Sequence, residues 1–115
     1  MPVDDEQHLA QRGREKAEAV AAIEAALAVT ASGPDGWERL CLAQAISWLY
    51  RGAYLAARAN AALALTPANE RAPQARGTDP VTESFTTEAL RRALAEAVAQ
   101  PVSRFPILGP IIFTG

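Results

Sequence analysis

The chain carries one histidine, His8, and one cysteine, Cys41, the side chains best suited to acid-base and nucleophilic chemistry near neutral pH. A cysteine nucleophile needs its base within hydrogen-bond reach. In a simple antiparallel hairpin His8 falls opposite residues 58–65, far from Cys41, so the two are not expected to pair. Cys41 stands between Leu40 and Leu42 and reads as a small core residue. A metal centre needs further histidine or cysteine ligands at helical or CxxC spacing, and the sequence supplies none. Glu15, Glu18 and Glu24 read as a solvated acidic face, with Arg14 and Glu18 forming an i,i+4 pair worth a few tenths of a kcal/mol. No Glu-x-x-His spacing suits a di-iron bundle, and no glycine-rich loop suits a phosphate. The expectation is no catalytic residue, no cofactor and no metal.

What remains is the chemistry of binding. Trp48, Tyr50 and Tyr54, interleaved with Arg51 and Arg58, have the composition of a stacking surface for bases, but at helical spacing they fit helix–helix packing better. The formal net charge of -2 argues against a nucleic-acid binder, which carries a basic surplus. The charge is uneven: residues 1–38 hold eight acids and three bases, whereas residues 39–76 hold five arginines and one acid, Glu70. Two adjoining helices of opposite sign account for this, and a basic face offered to an acidic partner is the sharper alternative. No stretch approaches the roughly 20 apolar residues of a membrane span. The acidic N-terminus is unlike a signal peptide, so a cytoplasmic location is expected.

These residues need elements to position them, and the composition says which kind. Alanine supplies 26 of the 115 residues; it is the best helix former and a poor filler of space. Helices that approach closely and bury little area each are expected, with a protein partner or a second copy to make up the deficit. The first helix is expected over 4–32, with Asp4 as N-cap and Leu9, Lys16, Val20, Ile23 and Leu27 on one stripe. Gly33-Pro34 stops it. Asp35 and Glu38 resemble a capping box for a second helix over 36–65, on which Leu42, Ile46, Leu49, Ala53, Ala56, Asn60 and Leu63 keep the three-four spacing. The short loop makes the pair an antiparallel hairpin. Asn60, on the apolar stripe, must pair with a backbone group or fix a helix–helix register.

Gly52 leaves two readings open. A helix can run through it at a cost of about 1 kcal/mol, giving an arm of about 29 residues and roughly 43 Å, or the chain turns there. In the second case the run Gly52-Ala53-Tyr54-Leu55-Ala56-Ala57, followed by Ala64-Leu65 and Pro67, resembles the second half of a tetratricopeptide repeat. The resemblance covers about 30 residues, with Pro67 two positions early, and no second copy follows at the 34-residue period of such arrays. It implies a helix–turn–helix unit that holds a peptide in a groove.

Pro67, Pro73, Gly77 and Pro80 make residues 66–85 a connecting loop. A third helix is expected over 86–100, capped by Thr86 and stopped by Pro101, with Leu90, Leu94 and Val98 on its stripe beside Ala93 and Ala97. The tail, 101–115, holds Val102, Phe105, Ile107, Leu108, Ile111, Ile112 and Phe113, seven large apolar residues among its last fourteen. Prolines forbid a regular helix there. Such a tail either completes a core that alanines leave underfilled, with Phe105 and Ile111 or Ile112 as buried anchors, or docks on another subunit.

One all-α domain is therefore expected over 1–115: a long antiparallel hairpin, a third helix and an apolar, proline-containing tail. The leading function is a non-enzymatic interaction protein, such as an accessory or assembly subunit of a larger complex. A tetratricopeptide-like scaffold that binds a peptide is the alternative, and an enzyme of unrecognised type the third. The candidate contact residues are Trp48, Tyr50, Arg51, Tyr54, Arg58, Phe105, Ile107, Leu108, Ile111, Ile112 and Phe113.

Overall fold

Gly52 decides the layout. In the computed structural model, which describes residues 2–30, 36–67, 70 and 86–105, it adopts φ +82°, the left-handed region where glycine carries no steric penalty. The Gly52 amide donates to the Leu49 carbonyl at 3.0 Å and the Ala53 amide to the Trp48 carbonyl at 2.9 Å. Those two bonds are the 5→2 and 6→1 closures of a Schellman cap. The second arm is therefore two helices, α2 (Gly36–Tyr50) and α3 (Tyr54–Ala64), preceded by α1 (Pro2–Val29) and followed by α4 (Thr87–Ala99). The described residues are all-α, with no strand among them.

The turn folds α3 back on α2. Arg12 of α1 reaches Gly52, and Glu18, further along α1, pairs with Arg58, further along α3, so α1 and α3 run side by side in the same direction. The α2–α3 and α1–α3 seams are the principal ones; α1 meets α2 less extensively, and α4 leans on α2 more than on α1.

Alanine lets these seams close. Ala19, Ala26, Ala57, Ala61 and Ala64 are buried, with Ile23, Leu27, Cys41, Leu42, Ala45, Ile46, Leu49 and Tyr54 as the rest of the α1–α3 core. Leu90, Leu94 and Ala97 close it from α4. Thr30, at the end of α1, satisfies its buried hydroxyl on the Ala26 carbonyl at 3.0 Å. Thr86 caps α4, its side chain accepting from the Ala89 amide at 3.1 Å.

Several positions differ from the periodicity. The α3 stripe expected at Ala53, Ala56, Asn60 and Leu63 is instead Tyr54, Ala57, Ala61 and Ala64. A three-four count carried through Gly52 assumes a continuous helix, and the turn resets the phase. Leu63 is consequently exposed, and Asn60 is satisfied locally, donating to the Ala56 carbonyl at 2.8 Å. On α4, Val98 faces outward while Ala97 is buried. α1 starts at Pro2, upstream of Asp4, since a proline fits the first turn, whose amides have no intrahelical partner. The Asp35 cap and nearly all of the 66–85 loop lie outside the described residues.

Candidate functional site

The N-terminal half of α1 has the spacing of a polar stripe rather than an apolar one. His8, Arg12 and Lys16 are four residues apart and so share one face. That face meets the chain as it leaves α4. Lys16 Nζ donates to the Val98 carbonyl at 2.9 Å and the Gln100 carbonyl at 2.5 Å, satisfying carbonyls that the last turn of a helix leaves open and placing a cation at the negative end of its dipole. Gln100 itself is extended (φ -68°, ψ 141°), as Pro101 requires of the residue before it. The chain then bends at Arg104 and Phe105, where the Ser103 hydroxyl donates to the Phe105 carbonyl at 2.5 Å.

Arg12 is the centre of the arrangement. It is 9% exposed, so its guanidinium must be paired to be tolerated. Its Nε donates to the Ser103 carbonyl at 2.8 Å, one terminal nitrogen donates to the Gly52 carbonyl, and the other pairs with Glu15 at 3.3 Å. The guanidinium carbon lies 4.4 Å from the centroid of the Tyr54 ring, within cation–π range. Tyr54, 2% exposed, accepts from the Ser103 amide through its hydroxyl at 3.0 Å. Both backbone groups of Ser103 are thus held by side chains. His8 Nε2 donates to the Arg104 carbonyl at 2.7 Å, and its ring lies 5.6 Å from that of Phe105.

These contacts make a clamp that reads backbone. Five of its bonds end on backbone atoms of residues 98–104, and Gly52 lets that backbone come close. A β-carbon at Gly52 would lie 2.7 Å from the Ser103 β-carbon and 3.1 Å from its hydroxyl, which is closer than carbon atoms pack.

The candidate contact residues are only partly brought together. Tyr54 belongs to the clamp. Phe105 sits at its edge but is 72% exposed, which corrects its expected place as a buried anchor: the clamp grips main chain, not the phenyl ring. Trp48 packs half-buried against the core, with the Arg51 guanidinium 5.3 Å from its ring centroid. Tyr50 is exposed, and Arg58 forms a surface pair with Glu18 at 3.0 Å. Ile107, Leu108, Ile111, Ile112 and Phe113 lie outside the described residues. His8 does not face residues 58–65 as the long hairpin implied, because α3 runs parallel to α1 and brings the Gly52 end to it. Cys41 is buried in α2, eleven positions before that turn.

Sequence reasoning overlooked Arg12 and Lys16 as binding groups. The available signal was their i,i+4 spacing with His8 on a helix whose apolar residues crowd the other half.

Elsewhere, a cleft of about 450 Å³ opens between α1 and α4, lined by Leu27, Leu94 and Val98 with Glu24 and Arg91; it is a packing gap left where α4 leans toward α2. Among the described residues no three His, Cys, Asp or Glu side chains gather as a metal site, and no helix is long and apolar enough to cross a membrane. Compared with known protein families, curated proteins and solved structures, the chain matches none.

Proposed function

We infer that the protein is a non-enzymatic helical interaction module, and that its working surface is the His8–Arg12–Lys16 face of α1 together with Gly52 and Tyr54. Two forms of such a module follow from the sequence, an accessory subunit docking through an apolar surface and a scaffold holding a peptide. The break at Gly52 favours the scaffold. Support for this reading is that the turn makes a helix–turn–helix, the kind of unit the tetratricopeptide resemblance implies, and brings a backbone carbonyl and a buried tyrosine to the same arginine.

The observation that carries this reading is the buried Arg12, whose bonds to Ser103 and Gly52 join the segment after α4 to the turn. Main-chain bonds supply affinity for extended peptides without demanding one side-chain sequence.

A synthetic array of short peptides, probed with the full chain, tests it. Bound peptides should be lost with Arg12→Ala and retained with Arg58→Ala, since only the first lies in the clamp. An array on which Arg12→Ala binds equally well overturns the proposal, as does one on which neither the unaltered chain nor a chain whose residues 100–105 are released by Ser103→Trp finds a binder.

A further inference from the structure

The clamp has shape as well as hydrogen bonds, and the shape is uneven along its length. At Ser103 the segment passes the α carbon of Gly52 so closely that one added carbon there would collide with the Ser103 side chain. The same residue is fixed from two more sides, by the Tyr54 hydroxyl on its amide and Arg12 on its carbonyl. With the backbone held in this way the β-carbon of residue 103 points at Gly52, so a bulky side chain there meets the turn unless the backbone bonds let go. Two residues later the surroundings are open: the Phe105 ring meets the His8 ring on one side and solvent on the other. Between them Arg104 is held through its carbonyl by His8, a contact indifferent to the side chain.

We propose that the clamp is a selective peptide site, accepting a segment that bends as Ser103–Phe105 does, with a small residue opposite Gly52 and an aromatic residue two positions further on. The chain's own Ser103-Arg104-Phe105 occupies it in cis. This rests on the peptide-binding reading and adds to it the class of ligand and a resident competitor. A tethered segment acts at an effective concentration on the order of millimolar when its link is short, so a partner peptide must outcompete Ser103–Phe105 to enter.

The test uses the full chain and a fluorescein-labelled peptide with the sequence of residues 100–105. In the chain, Ser103→Trp sets a large side chain against Gly52 and releases the segment while leaving His8, Arg12, Lys16 and Tyr54 untouched. That variant should bind the peptide at least about tenfold more tightly than the unaltered chain, by removal of the competitor. A peptide carrying Ser103→Trp should bind about tenfold more weakly than the parent, and one carrying Phe105→Ala a few-fold more weakly. If the altered chain fails to fold, the same three peptides are ranked at millimolar concentration on the unaltered chain, by the displacement of the Gly52 and Ser103 amide resonances. Equal binding of the parent and the Ser103→Trp peptide overturns the selectivity and leaves the peptide-binding reading standing. No binding by any of the three, with the Gly52 resonance unmoved, overturns both.

Discussion

The two halves of α1 do different work on the same helix. From Ala19 to Leu27 it is held by packing: Ala19, Ile23, Ala26 and Leu27 belong to the apolar core it shares with α2 and α3, with no polar atom needed. From His8 to Lys16 it is held by hydrogen bonds to backbone that belongs to other parts of the chain. Packing of this kind is tolerant of which apolar group fills the space, within volume limits. Hydrogen bonds to a buried guanidinium tolerate little, because removing one partner strands the others. The C-terminal half of α1 should therefore set how stable the protein is, and the N-terminal half should set where residues 100–105 lie.

The largest effect is expected in the packed half. Ile23 of that half and Leu49 of α2, in the same core, are both buried, and cutting either to alanine should cost about 2–5 kcal/mol in a denaturant melt. Alanine neighbours cannot swell to fill the gap. Losses under 1 kcal/mol at both positions would mean that the core is not where the comparison puts it.

Arg12→Leu should cost less, about 1.5–3 kcal/mol, the range for hydrogen bonds to a charged group. It should also free residues 100–105, seen as faster amide exchange at Ser103. Arg12→Lys should recover only part, since one ammonium cannot span the Gly52 and Ser103 carbonyls as a guanidinium fork does. A variant that unfolds like Ile23→Ala yet leaves the Ser103 amide protected would erase the distinction between the two halves.

How legible each half was follows from the physics that holds it. Periodicity finds apolar stripes, so Leu42, Ile46, Leu49, Leu90 and Leu94 could be read directly as buried positions. It cannot see a phase reset, and one glycine with positive φ moved the buried face of α3 from Leu63 to Ala64. It is also blind to polar residues that become buried because their partners are backbone atoms distant in sequence. Nothing near Arg12 announces Ser103, 91 positions away. Lys16 was placed on the apolar stripe by spacing, and the bonds of its ammonium group to Val98 and Gln100 were not foreseeable from that.

Gly52→Ala probes the boundary between the halves. The left-handed conformation costs a β-carbon roughly 1–2 kcal/mol, and the new carbon also meets Ser103. Removing that obstacle separates the two terms. If Ser103→Gly restores about half of what Gly52→Ala loses, the close approach is real; if it restores nothing, the loss is all turn strain. A double-mutant cycle reads the difference directly.

The smallest effect should come from the other arginine on the α1–α3 seam. Arg58 and Glu18 form an ion pair at 3.0 Å, as good in distance as the bonds of Arg12, but their side chains are 58% and 57% exposed. Water already satisfies both groups when they part, and holding two long side chains together costs rotamer entropy, so such pairs contribute about 0–1 kcal/mol. Arg58→Ala should therefore shift a denaturant midpoint little, and moderate salt should reduce even that, because exposed charges are screened within about 8–10 Å. Arg12→Leu should keep its cost at the same salt, since burial shields its bonds from solvent ions. Two arginines with similar contact distances would then differ in both size and salt dependence of their effects. If Arg58→Ala instead costs 2 kcal/mol or more and that cost persists in salt, burial is not what sets the clamp apart, and the α1–α3 seam is an ionic interface along its whole length.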